Sequence, residues 1–189
     1  MTSRRVQFVA FSRLLHWTMA AMILAMLCIG VSMVVSLADY HVLVSIHRPL
    51  GIAILVLAVI RFVNRQLTSL PPFPATMSRV ERRVATVSEL LMYALMVLLP
   101  LVGWGMLSAA RYPIVLFGSV HLPFILPHDA TLYAVLRKAH TILAYLFFLT
   151  FLAHFGAILF HTFIVRDGIL KRMVPWNIRP DEPPQVLQT

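Results

Sequence analysis

The sequence predicts an all-α membrane protein, a four-transmembrane-helix bundle with both termini cytoplasmic. Three observations carry this: an apolar composition, four long stretches almost free of charge, and a one-sided distribution of basic residues. Of 189 residues, 60% are hydrophobic and 12% are charged, with a mean hydropathy of +0.85. A soluble domain has about 45–50% apolar and about 25% charged residues, so the composition excludes a soluble or disordered chain. The net charge of +9 would suggest a nucleic-acid partner on a soluble protein. Here it reads as basic cytoplasmic loops, with the lipid bilayer as partner and no nucleic acid. The single cysteine, Cys28, excludes an internal disulfide, a CxxCH attachment site and an iron–sulfur ligand set.

The spans follow from charge-free runs. Residues 14–38, 90–110 and 139–165 hold 25, 21 and 27 residues without a charge. A bilayer helix needs roughly 20. The expected spans are therefore 14–38, 88–110 and 139–165, with a fourth over 42–63. The uncharged centre of that fourth span is short, 12 residues over 49–60, but Arg48 and Arg61 stand near its ends, where long side chains reach the interface. Pro49 is expected in a first helical turn, where no backbone donor is lost.

Four spans leave both termini on one side. That side carries 12 of the 16 basic residues, against four (Arg48, Arg111, Arg137 and Lys138) on the other. The excess assigns the terminal side to the cytoplasm. The segment 64–87 is then a cytoplasmic loop, stiffened by Pro71, Pro72 and Pro74. The segment 111–138 is a long outer connection expected to carry a short interfacial helix. The domain division is a membrane domain over 1–175 and a Pro-rich cytoplasmic tail over 176–189. Arg4 and Arg5 ahead of an apolar run resemble a signal peptide, but the run far exceeds a 7–15-residue h-region, so it reads as a retained helix.

Four histidines lie in or at the ends of spans: His16, His47, His140 and His154. Ionisable groups inside a membrane are costly and mark function by default. His140 and His154 are 14 residues apart, about 21 Å along a helix and within about 40° of the same face. His16 enters from the cytoplasmic side and His47 from the outer side. The result is two pairs at two depths, His16 with His154 and His47 with His140. Equal depth for the first pair requires the fourth span to extend or tilt into the cytoplasm. Two imidazoles from facing helices form a bis-axial cage for haem iron, and bundle cores hold such cofactors. With both axial positions filled the chemistry is electron transfer, and without CxxCH the haem is b type. Ala20, Gly51 and Ala144, each four residues after a ligand candidate, leave room for a flat macrocycle.

Haem propionates need cations at the membrane edge. Arg48, Arg137 and Lys138 are candidates outside and Arg13 inside, with interfacial snorkelling as the alternative for each. His161 lies seven residues after His154 on a similar face and reads either as a quinone contact or as an interfacial polar residue. His41, His121 and His128 read as solvated. Trp17, Trp104 and Trp176 read as interfacial or packing aromatics. Pro100, Gly103 and Gly105 mark a third span that packs closely and acts as a wall.

These residues resemble prokaryotic cytochrome b561. The resemblance spans about residues 11–173 and rests on LLHW at 14–17, SIHRPLGIAILVLAVIRFVNR at 45–65 and PPFP at 71–74. It continues in KAHTILAYL at 138–146, LAHFGAILFH at 152–161 and RDGILKRMVP at 166–175. It implies an inner-membrane electron carrier with two haem b groups, ligated by His16, His47, His140 and His154, that exchanges electrons with quinone. A member of that group oxidises superoxide, and related cytochrome b subunits serve nickel hydrogenases and formate dehydrogenases. The alternatives are a cytochrome b anchor for a periplasmic dehydrogenase, with a docked periplasmic redox partner, and a histidine-lined metal transporter. A near absence of carboxylates in the spans disfavours the transporter.

Overall fold

Each expected span folds as one continuous helix that begins ahead of its charge-free run. The computed structural model describes residues 7–116 and 118–176. The basic residues Arg4, Arg5 and Arg179 and the tail over 177–189 lie outside them. The helices are α1 (Ala10–Val35), α2 (Tyr40–Leu67), α3 (Arg79–Ala109) and α4 (Ala130–Phe160). All four are long and apolar enough to cross a membrane. A helix of 31 residues, such as α3 or α4, is about 46 Å long, against an apolar layer of about 30 Å. Charge marks where the chain leaves lipid, whereas capping marks where the helix starts. Before α3, the Ser78 hydroxyl accepts from Glu81 N–H at 3.2 Å and Ser78 N–H donates to the Glu81 carboxylate at 2.6 Å, a reciprocal capping box. Before α4, the Asp129 carboxylate accepts from Leu132 N–H at 2.9 Å. The helices therefore begin at Arg79 and Ala130, ahead of the spans expected over 88–110 and 139–165.

Two further expectations are corrected. Pro49 lies inside α2 and not in its first turn, so Ser45 loses the backbone donor that residue 49 would supply. Among the described residues the connection after α3 holds no helix. Instead β1 (Ile114–Leu116) and β2 (Val120–Leu122) pair antiparallel, with Val115 opposite His121. This connection closes the end of α3: Asp129 N–H and His128 Nδ1 reach the Ala109 carbonyl at 3.1 and 2.9 Å. Trp104 Nε1 donates to the Pro123 carbonyl at 2.9 Å. These bonds satisfy groups that a helix end leaves open.

Close backbone packing among the described residues runs α1–α2, α2–α3 and α3–α4, while α4 stands back from α1 and α2. Side chains from all four helices still meet in one core of Met19, Ile23, Ile54, Ala58, Tyr93, Leu95, Met96 and Phe147. Many apolar side chains face outward, Val34, Leu149 and Phe155 among them, as a lipid-solvated bundle requires.

At the end where α1 begins, here the terminal end, the chain doubles back after α4. His161–Val165 forms a π-helical turn, Arg166 takes a left-handed conformation (φ 57°), and Leu170–Arg172 forms a 3-10 turn. Phe8 N–H donates to the Arg172 carbonyl at 3.1 Å and Trp17 Nε1 to the Met173 carbonyl at 2.7 Å. Arg172 also donates to the Pro72 carbonyl. The proline-containing loop is thereby tied to the returning chain. The opposite end, which carries β1 and β2, is the hairpin end.

Candidate functional site

Helix α4 supplies one histidine to each end of the bundle. His140 and His154 are about 21 Å apart along it, and the buried Phe147 stands seven residues from each, on nearly the same face. At the hairpin end the rings of His47 and His140 face each other with centroids 6.3 Å apart and planes at 66°. With metal–nitrogen bonds of roughly 2.0 Å and about 1.1 Å from ring centre to nitrogen, two imidazoles on opposite sides of one metal ion have centroids about 6.3 Å apart. The separation is that of an edge-to-face ring pair and is also wide enough for a shared metal. His47 Nδ1 and His140 Nδ1 are buried with no hydrogen-bond partner, which a purely structural pair would have acquired. The Leu99 carbonyl lies near His140, yet forms no hydrogen bond of normal geometry to its Nδ1. The two rings meet although the backbones of α2 and α4 do not pack closely.

Gly103 on α3 completes this end. A Cβ at Gly103 would meet His140 Cε1 at 3.3 Å and Nδ1 at 3.5 Å. By contrast, a Cβ at Gly51 would meet only Met26 Cε, at 3.7 Å, so Gly51 faces α1. Gly103→Val is expected to displace the His140 ring and destabilise the chain by about 1–3 kcal/mol, the usual cost of overpacking. Thermal unfolding and the visible spectrum check this; an unchanged spectrum would separate Gly103 from the histidine.

At the terminal end, His154 lies close enough to act electrostatically on His16. Six residues of α1 precede His16, while helical chain continues for 11 residues after His154. The helical chain thus ends at Val165, where the expected span ends. His16 has a partner that the sequence reading did not assign. Arg61 Nη2 lies 3.0 Å from His16 Nδ1, while Arg61 Nε donates to the Tyr93 hydroxyl at 3.0 Å and Nη1 to the Ser12 carbonyl at 3.4 Å. One turn further along α2, Asn64 Nδ2 donates to the Ser12 hydroxyl at 2.6 Å, and Arg65 forms a two-pronged pair with Glu89 at 2.8 and 3.0 Å. The spacing Arg61–Arg65 on α2 faces Glu89–Tyr93 on α3, each four residues, so both pairs form on matching helix faces.

His161 is buried, and its Nδ1 lies 2.7 Å from an Asp167 carboxylate oxygen; their side chains are 11% and 1% exposed. Of the cations expected near the cofactor, Arg48 is half-buried, Arg137 and Lys138 are exposed, and Arg13 is buried with Nη1 bonded to Gln7 at 2.8 Å. His41, His121 and His128 are exposed. Among the described residues no three His, Cys, Asp or Glu side chains cluster as a metal site. A transported divalent ion normally needs three or four such ligands, whereas a macrocycle brings four of its own. The four histidines therefore fit a porphyrin-bound metal better than a bare one.

The sequence profile of prokaryotic cytochrome b561 matches residues 7–176. The chain is similar to cytochrome b561 homolog 2 of Escherichia coli (strain K12), with 28% identity over 92% of this chain and 94% of the relative. It is similar to cytochrome b561 homolog 1 of the same organism, with 27% identity over 73% and 78%. It is also similar to the Yersinia pestis protein named probable superoxide oxidase CybB, with 29% identity over 69% and 73%.

Proposed function

The chain belongs to the prokaryotic cytochrome b561 family of bacterial membrane electron-transfer proteins, and from that premise we propose that it carries electrons across the inner membrane through two b haems to quinone. The reading puts both termini in the cytoplasm, one haem on His16 and His154 near the cytoplasmic side, and the other on His47 and His140 near the outer side. The observation that supports it best is the pairing of His47 with His140 at a ring separation that would admit a shared metal, from helices α2 and α4 that do not pack closely on each other. If bound, haem would supply reversible one-electron chemistry. The residues supply the rest. Arg48, Arg137 and Lys138 are the proposed cations for the outer propionates, and Arg13 the proposed one at the terminal end.

Quinone reduction takes two electrons and two protons to give a quinol. His161 is the residue proposed to hold a quinone carbonyl and relay a proton. The Asp167 carboxylate accepts from His161 Nδ1, which leaves Nε2 to face the substrate. The Yersinia relative's name supports superoxide as an electron donor at the outer face. An anion would be steered by Arg48, Arg137 and Lys138. Haem reduction by superoxide is expected to slow by about tenfold or more between low and high salt, because exposed charges are screened beyond about 10 Å at 0.1 M. A stopped-flow rate indifferent to salt would contradict steering.

The deciding experiment for the whole reading is a reduced-minus-oxidised visible spectrum with a haem-to-protein ratio. Two haem b per chain is the expected result. A purified chain with no Soret absorbance and a bound divalent metal would overturn it in favour of the transporter.

A further inference from the structure

The two histidine pairs differ in what touches their rings. His47 Nδ1 and His140 Nδ1 have no hydrogen-bond partner, and the buried Arg48 Nε beside them has none either. His16 Nδ1, in contrast, has the Arg61 guanidinium at 3.0 Å. Arg61 is held from two helices, by the buried Tyr93 of α3 and the buried Ser12 of α1. These partners are neutral. The nearby Glu89, which also acts on His154, is matched by the two-pronged bond from Arg65. Glu89 acts on His154 ahead of Arg61, and Arg61 is the cation in contact with a ring of the terminal pair, that of His16.

Arginine keeps its charge at any working pH and has only donors. The usual partner of a ligating imidazole is a carbonyl or carboxylate, which makes the ring more electron-rich. An imidazole that ligates through Nε2 carries its proton at Nδ1 and is a donor there, so beside such a ring Arg61 acts by its charge and not as a hydrogen-bond partner. Reduction adds one electron and breaks no bond, so the site gains one negative charge. A fixed cation in a low-dielectric interior favours that gain, and charge and hydrogen bonding at the ligands are what set haem potentials. At the hairpin end Arg48 acts on His47 only through space, and Arg137 and Lys138 are exposed and screened by water.

We propose that Arg61 is a positioning residue that holds the haem of the His16–His154 pair at a higher reduction potential than that of the His47–His140 pair, so that electrons run from the hairpin end to the terminal end. This rests on the two-haem reading above. The test is a potentiometric titration of the purified full chain, followed by visible absorbance, in wild type, Arg61→Gln and Arg61→Lys. Arg61→Gln is expected to lower the high-potential component by at least tenfold in its equilibrium, 59 mV for one electron. The other component should move by much less, and Arg61→Lys should restore most of the shift. The same shift should appear in a His47→Ala background, which retains only the terminal haem. Unmoved potentials, equal shifts of both components, or loss of a haem from Arg61→Gln would overturn the assignment, the last by making Arg61 a structural anchor. A wild-type chain without two haems sinks the underlying reading, whereas two haems with unmoved potentials sinks this one alone.

Discussion

Replacing His47 or His140 by alanine is expected to lower the haem content of the purified chain from two to one, and replacing His16 or His154 should remove the other haem. The effect is large because each ligand pair is built from two helices that do not otherwise touch closely at that level. Losing one imidazole leaves the other without the metal that justifies its burial, and buried polar groups without partners cost about 1–3 kcal/mol each. His47 and His140 have no alternative hydrogen-bond partner at Nδ1 to fall back on. His16 does, in Arg61. Haem-to-protein ratios and difference spectra of the four variants check the pairing. If His47→Ala and His16→Ala abolished the same spectral component, the pairing across the bundle would be wrong.

The second large effect is expected at His161. His161→Ala should keep both haems and their spectra while slowing electron delivery to quinone by about 10²- to 10⁴-fold, the usual contribution of a positioned acid or base. Asp167→Asn should slow it in the same direction by less, because an amide still holds the ring but no longer specifies which nitrogen carries the proton. Rapid-mixing reoxidation of the reduced protein by a soluble quinone measures both. Normal turnover in His161→Ala would make the residue an interfacial anchor. Loss of the terminal haem would reopen the assignment of His154.

The histidine pairs were legible in the sequence because a helix is rigid in angle. At about 100° per residue the offset between His140 and His154 can be counted without coordinates, and α4 is continuous across both. Asp167 was not legible, since it reaches His161 only after the π-helical turn and the left-handed Arg166 bend the chain back. Arg61 was read as a snorkelling cation, because a charge at the edge of a span carries no sign of which way its side chain turns. Its role depends on contacts from α1 and α3 that no local pattern encodes. Gly103 was read only as a close-packing residue, and the ring it packs against lies on another helix. The helix starts at Arg79 and Ala130 were missed because the charge count overrode the capping residues Ser78 and Asp129, although both were present to be read.

Helix α4 contributes one member to each histidine pair, and it is the last of the four helices to leave the ribosome. A nascent chain with three helices inserted has His16 and His47 in place but nothing opposite either of them. A translation product stopped before Ala130 therefore lacks both pairs at once, not one. Both pairs therefore come together only when α4, a single segment of 31 residues, joins the bundle.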